Sequence, residues 1–335
     1  MLTAFFRQDR PTAFLPLPLL VLLLWPGAGS GGDPSFLPVE GIMGQVVAGM
    51  PLYAPLAALF TALPWATLPM GLVLALWLAH GLCQMANDCE LHERRNRLPA
   101  LSVILLLALM PFGLLPDAAL LGMCIVVWAL TRAWTSVGKA QIGSALFDAG
   151  LLLGLASLVY LPYAFLTVVV WATLAVTRPF RLREYVLPLA GLAGMLVVGW
   201  GAVHFISPSS WDPAASMHYP AGATPPKAAH WMYRVVLWAV LSVLAVATVI
   251  AFASVYARSV MREKNIRASF LAFAFACGLL ALFAWWLDDR VPPVLLAAPG
   301  AVLLAYPLLQ ARKPAWADAG LWCLLLLACW ARWAG

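Results

Sequence analysis

Residues 65–115 read WATLPMGLVLALWLAHGLCQMANDCELHERRNRLPALSVILLLALMPFGLL, two apolar runs separated by a short charged gap. Each run is close to the roughly 20 apolar residues that an α-helix needs to cross the hydrocarbon core of a bilayer. The gap holds Arg94, Arg95 and Arg97, and basic residues accumulate in the cytoplasmic loops of membrane proteins. The stretch therefore predicts two membrane-spanning helices joined on the cytoplasmic side.

The same alternation continues along the 335-residue chain, in which 64% of residues are hydrophobic and only 10% are charged. A soluble chain of this length does not carry such a composition. We predict an all-α, polytopic transmembrane helical bundle that forms a single integral membrane domain over residues 1–335. It has about eleven spans, with cores at 12–27, 65–86, 98–115, 117–133, 144–160, 163–178, 186–206, 231–257, 268–287, 292–310 and 318–333.

The basic residues predict the orientation of this bundle. Sixteen of the twenty Lys and Arg residues fall on one side of the eleven-span arrangement, namely Arg7, Arg10, Arg94, Arg95, Arg97, Arg132, Lys139, Arg178, Arg181, Arg183, Arg258, Arg262, Lys264, Arg267, Arg312 and Lys313. The positive-inside rule then predicts a cytoplasmic N-terminus and an external C-terminus. The net charge of +6 is an insertion signal on this interpretation, so we expect no nucleic-acid partner.

Two longer segments, 28–64 and 207–230, fall on the predicted outer side. We expect the first to be an outer interfacial segment of one or two helices and the second to be a Pro-rich outer loop. The first apolar run leaves an alternative open, because Arg7, Arg10 and the small residues 27–30 also resemble a cleavable signal peptide. Its removal would leave the direction of every later span unchanged.

Polar side chains within an apolar span are costly and therefore mark candidate sites. His80, Gln84 and Asn87 lie at positions i, i+4 and i+7 of the second span, so one helix face carries all three as a polar stripe. Such a stripe can form a track for a lipid headgroup or a proton. The alternative is a helix end that reaches water, with His80 hydrogen-bonded across the bundle.

Helix packing is predicted from a second pattern, in the fifth span. Gly150 and Gly154 are four residues apart, and small residues at this spacing let two helices approach closely. Asp148 precedes them and is expected to anchor this packing by pairing with Arg132, Lys139 or Arg178.

Acidic residues near the predicted outer surface are the alternative place for chemistry. Asp33 and Glu40 lie in the first outer segment and are the candidate catalytic residues, because a carboxylate there can act as a general base. Candidate substrate contacts at the rim are Asp212, Asp288, Asp289 and Arg290. A divalent cation could bind such carboxylates, although the scattered His and Cys residues predict no metal site and no other cofactor is evident. The alternative is that these acidic residues are ordinary loop charges in contact with water.

The block SALFDAGLLLGLASLVYLPY at 144–163, followed by RPFRLREY at 178–185, resembles an uncharacterised family of integral membrane proteins of Bacteroidota. The FFR at 5–7 with Pro11, and RLPAL at 97–101, are similar to the same family. The resemblance covers about the first 200 residues and implies a location in the bacterial inner membrane.

A weaker resemblance is to the GT-C membrane glycosyltransferases, which use polyprenyl-phosphate sugars. Those enzymes also have a cytoplasmic N-terminus, one span, a long first outer loop and many short spans, and Ala149 to Ala156 is similar to one of their helices. The resemblance implies a transferase of envelope biogenesis that acts on a lipid-linked glycan at the outer face. The chain departs from the family because its first outer loop lacks an adjacent acidic pair. The alternatives are a non-enzymatic subunit that binds other membrane proteins of an envelope or secretion machine and, third, a transporter.

Overall fold

A computed structural model describes residues 2–7, 11–25, 51–110, 113–137, 142–177, 181–206, 217, 231–311 and 314–333. Within these ranges the regular structure is helical and contains no strand, which confirms the predicted all-α class. The α-helices there are α1 (Leu2–Phe6), α2 (Pro16–Leu23), α3 (Ala54–Ala62), α4 (Thr67–Asp88), α5 (Leu98–Leu109), α6 (Ala118–Thr135), α7 (Gly143–Val159), α8 (Thr167–Thr177), α9 (Leu182–Ile206), α10 (Trp231–Arg258), α11 (Met261–Asp288), α12 (Pro293–Gln310) and α13 (Pro314–Trp333).

Six segments among the described residues are long and apolar enough to cross a membrane, namely Pro64–Asp88, Ala118–Thr135, Leu182–Phe205, Val235–Arg258, Met261–Asp288 and Pro293–Gln310. Five shorter apolar segments are Thr12–Leu23, Leu98–Leu109, Gly143–Val159, Leu161–Thr177 and Ala315–Ala331. Each of the eleven predicted cores overlaps one of these segments. The chain is therefore a membrane protein whose described residues contain six candidate spans, and a full count of eleven crossings stays a prediction.

Helix α5 is shorter than the predicted core 98–115. It ends at Leu109 because Met110 precedes Pro111 and adopts an extended conformation, as residues before proline do. Its 12 residues rise only about 18 Å, yet eleven of them are buried. Other helices, rather than lipid, cover α5, so it does not need the length of an isolated span.

Two long helices lie at the periphery of the bundle. Only 17% of the most apolar window of α9 and 11% of that of α10 are buried, compared with 72% for α6. Their exposed side chains are almost all apolar, for example Val197 and Val249. A surface of this kind is suited to hydrocarbon.

The charged connections that precede and follow the helices meet at one end of the bundle, which we call the basic end. The backbone N–H of Arg97 donates to the carbonyl of Phe6 at 2.8 Å, and the guanidinium of Arg7 donates to the carbonyl of Leu308. These hydrogen bonds attach connection 89–97 to α1. They also attach the end of α1 to the end of α12.

At the opposite end, the first described residues of segment 28–64 are attached to the bundle. Tyr53 donates its hydroxyl proton to the carbonyl of Pro116 at 2.6 Å, and the N–H of Leu52 donates to the carbonyl of Leu158 at 3.3 Å. Helix α3 follows, as expected for a helix in segment 28–64. Residues 28–50, and all of loop 207–230 except Met217, lie outside the described residues.

Candidate functional site

A lateral groove of about 390 Å³ runs between α4 and α6. The two helices are parallel, because Cys124 donates its thiol proton to the carbonyl of Leu74 at 3.6 Å and a side chain at Gly81 would meet Val127. Both helices therefore end at the basic end. The groove is within the range of volumes that hold small ligands, about 300–1,000 Å³.

The walls of this groove change from apolar to polar toward the basic end. Its apolar part is formed by Trp77, Gly81, Cys124, Val127 and Trp128, and its polar part by His80, Gln84, Asp88, Thr131, Arg132 and Thr135. Trp77 and Asp88 are eleven residues apart on α4, which corresponds to about 16 Å along the axis. A groove with this gradient matches an amphiphile whose polar head points to the basic end.

Helical periodicity explains why the polar groups face each other. His80, Gln84 and Asp88 follow each other at four-residue spacing on α4, while Thr131 and Thr135 do so on α6, and residues four apart share one helix face. Both threonine hydroxyls donate to carbonyls one turn back, at 2.7 Å each. Their oxygen lone pairs remain able to accept a hydrogen bond from a ligand.

An ion pair lies beside the polar part of the groove. Arg132 donates from its guanidinium to the Asp148 carboxylate at 3.2 Å, and the two side chains are 53% and 43% exposed. Arg132 is one of the three partners expected for Asp148, whereas Lys139 and Arg178 lie outside the described residues. A guanidinium has five N–H donors, so Arg132 can also bind a ligand.

The structure divides the predicted polar stripe. His80 and Gln84 line the groove, and the His80 ring lies 5.6 Å from that of Phe14. Asn87 instead binds the backbone of Asn96, donating to its carbonyl at 3.3 Å and accepting from its N–H at 3.1 Å. Asn87 thus holds connection 89–97 against the end of α4. Asp88 lines the groove at its polar end.

Gly150 and Gly154 face α9 at very short range. A Cβ atom on Gly150 would lie 2.1 Å from the carbonyl oxygen of Pro188, and one on Gly154 would lie 2.6 Å from Cβ of Met195. The same holds for Gly191 of α9, since a Cβ atom on it would lie 2.5 Å from the carbonyl oxygen of Phe147. These distances describe a contact that only glycine permits.

The predicted acidic site at the other end is only partly described. Asp288 ends α11, Asp289 follows it in a left-handed conformation at φ 53°, and Arg290 comes next. Asp33, Glu40 and Asp212 lie outside the described residues. No His, Cys, Asp or Glu cluster able to hold a metal occurs in the described part of the chain.

A buried tyrosine that the sequence does not mark as a site residue accompanies these carboxylates. Tyr160 follows α7 and is buried, and the charges of Asp117 and Asp288 both act on it. Asp117 is 7% exposed and caps α6 by accepting from the N–H of Leu120 at 2.6 Å. An Asp immediately before an apolar run is the signal that predicts such a cap.

A buried network at the basic end is not evident from the sequence. Arg267 is predicted to be a loop charge, but α11 begins at Met261 and buries Arg267 to 2% exposure. Arg267 donates from Nε to the carbonyl of Leu91 at 3.1 Å and pairs with Glu263 at 3.1 Å. Tyr306 donates to the same Leu91 carbonyl at 2.7 Å.

His92, in the same connection, completes this network. Burial lowers the pKa of His92 to about 4, a net effect to which the nearby charge of Arg267 contributes and which the hydrogen bond to Val302 opposes. The ring is therefore neutral near pH 7, and its Nε2–H donates to the carbonyl of Val302 at 3.2 Å. The role of this network is therefore structural, because it attaches connection 89–97 to α11 and α12.

Comparison with known proteins supports the prediction of an uncharacterised family and adds no activity. No curated protein and no solved structure matches the chain. A family model described as a family of unknown function covers most of the sequence, from residue 58 to residue 331. This chain therefore belongs to the family of unknown function DUF6427.

Proposed function

We propose that this protein is an inner-membrane component of the bacterial cell envelope that binds a membrane lipid in the α4–α6 groove. The observation that carries the proposal is the gradient along the groove, from Trp77 and Trp128 to Asp88 and Arg132. A bilayer lipid has the same sequence of apolar and polar parts, and its chains can remain in the surrounding hydrocarbon. Binding of this kind fits a non-enzymatic subunit as well as a protein that presents a lipid to a partner.

The groove opens sideways, which a lipid requires for entry from the bilayer. Trp77 is 44% and Trp128 is 58% exposed, and His80, Gln84 and Asp88 are exposed as well. Tryptophan is favoured at membrane interfaces because its ring is both apolar and able to donate a hydrogen bond. A lipid chain could therefore lie between the two rings while its head reaches Gln84 and Asp88.

Filling the groove should release the lipid. We expect Gln84→Trp to reduce the lipid that remains on the purified protein at least severalfold, because the large ring would occupy the polar part of the groove. Val73→Trp is the matched control, since Val73 is an exposed residue of the same helix that does not line the groove. Native mass spectrometry after extensive detergent washing measures the retained lipid. Equal retention by both variants and the unmodified protein would refute the proposal.

The orientation belongs to the same proposal. We propose that the basic end faces the cytoplasm, supported by the positive-inside rule and by the contacts that join Arg97 and Arg7 to neighbouring segments at that end. With eleven crossings the C-terminus is then external. A periplasm-active reporter fused after Gly335 should give a signal, and one inserted between Arg94 and Arg97 should not. The reverse result would overturn the orientation.

A transferase acting on a lipid-linked glycan at the outer face is the second proposal. It is supported by the proximity of two carboxylates, Asp117 and Asp288, to Tyr160 at the opposite end. Asp33 or Glu40 would supply the catalytic base, with Asp289 and Arg290 at the rim and a divalent cation on the lipid phosphate. Such chemistry takes place far from Gln84, so loss of lipid in Gln84→Trp with unchanged cellular function would favour it.

A further inference from the structure

We infer that the groove selects a zwitterionic phosphoethanolamine headgroup rather than an anionic one, an inference that rests on the proposed lipid binding. Within the described part of the chain, the charged side chains at its polar part are Asp88 and Arg132, with Asp148 beside Arg132. Asp88 and Arg132 line the groove, and Asp148 pairs with Arg132 at 3.2 Å. Among the residues that the structure describes, one positive and two negative charges give this region a net charge of −1.

This charge balance disfavours a headgroup that carries only a phosphate. Arg132 would attract the phosphate and has free N–H donors for it. Asp88 and Asp148 would repel it, and like charges placed together oppose binding. An added ammonium removes the conflict, because it can approach Asp88 while the phosphate stays at Arg132.

A primary ammonium fits the polar part of the groove better than a quaternary one. Its three N–H groups can donate hydrogen bonds to the Asp88 carboxylate, the Gln84 side-chain carbonyl and the Thr135 hydroxyl. A choline head cannot donate, and it binds instead over aromatic faces. The groove's Trp residues lie toward its apolar part, with Trp77 eleven residues from Asp88. The chemistry therefore favours ethanolamine over both glycerol and choline.

Lipid competition tests this selectivity. The purified full-length protein is incubated with equal amounts of phosphatidylethanolamine, phosphatidylglycerol and phosphatidylcholine of identical acyl chains, and bound lipid is identified by native mass spectrometry. We expect phosphatidylethanolamine to exceed phosphatidylglycerol about fivefold, the effect of a few exposed charge contacts. Asp88→Asn should bring the two lipids close to parity, and Arg132→Gln should lower the binding of all three.

Glu93→Gln is the control for charge alone, because Glu93 is an exposed carboxylate in connection 89–97 that does not line the groove. It should leave the preference unchanged. A preference for phosphatidylglycerol, or an Asp88→Asn protein with the selectivity of the unmodified one, would overturn the inference. If Gln84→Trp still retains its lipid, the proposed function itself fails. If Gln84→Trp loses a lipid that is not phosphatidylethanolamine, only the selectivity is wrong.

Discussion

Gly150→Ala is expected to lower sharply the yield and the melting temperature of the protein in detergent. The added methyl group would lie 2.1 Å from the carbonyl oxygen and 2.8 Å from Cα of Pro188. Both are backbone atoms, so no side-chain rotation can relieve the clash, and α7 and α9 must separate. Overpacking of a tight contact costs about 1–3 kcal/mol, and we expect the upper part of that range. Thermal unfolding followed by fluorescence or by loss of the monodisperse peak measures it.

Gly194→Ala provides the matched control on the partner helix. A Cβ atom on Gly194 would meet nothing within 4 Å, and alanine favours a helix over glycine by about 1 kcal/mol. The melting temperature should therefore stay the same or rise slightly. Equal effects of the two substitutions would show that α7 and α9 do not pack as described.

The glycine contact shows what a spacing pattern can and cannot predict. The four-residue interval between Gly150 and Gly154 predicted close packing because it places two small side chains on one face. It could not identify the partner, since α7 lies against both α6 and α9 and both helices are apolar. The choice of α9 depends on the backbone of Pro188, which lies against Gly150, and on Gly191, which has no side chain to keep the helices apart.

Helix positions were predictable because apolar length is a local property of the sequence. The lengths of interior helices were not predictable, because the rule of about 20 residues assumes a helix that is surrounded by lipid. Helix α5 violates that assumption with eleven buried residues of 12. Nothing in its composition distinguishes a helix that protein covers from one that lipid covers, since both are apolar.

The groove was half predictable for a similar reason. Periodicity along α4 identified His80 and Gln84, but the opposing wall depends on which helix lies beside α4. Thr131 and Thr135 look like ordinary helix-end residues until α6 is placed there. Asn87 lies on the same helix but does not line the groove, because its amide binds the backbone of Asn96, a residue beyond the end of α4.

Arg267→Met should destabilise the protein strongly, the second large effect that we expect. The guanidinium is 2% exposed and binds the Leu91 carbonyl, the Ser259 hydroxyl and the Glu263 carboxylate. Methionine occupies a similar volume but donates no hydrogen bond to these three acceptors, of which the Leu91 carbonyl keeps its bond from Tyr306. Removal of one partner of a buried ion pair costs about 3–5 kcal/mol, and the lower value applies because the Glu263 side chain is 36% exposed. Connection 89–97 should also become susceptible to limited proteolysis.

Arg262→Met separates this effect from membrane insertion. Arg262 lies on the same helix and at the same end but is exposed, so its removal takes away one positive charge without breaking a buried contact. If positive charge at this end matters only for topology, both substitutions should change insertion equally and neither should change the melting temperature. The buried network predicts instead that Arg267→Met alone lowers the melting temperature and exposes connection 89–97 to protease. Equal stability of the two variants would show that the contacts of Arg267 contribute nothing beyond its charge.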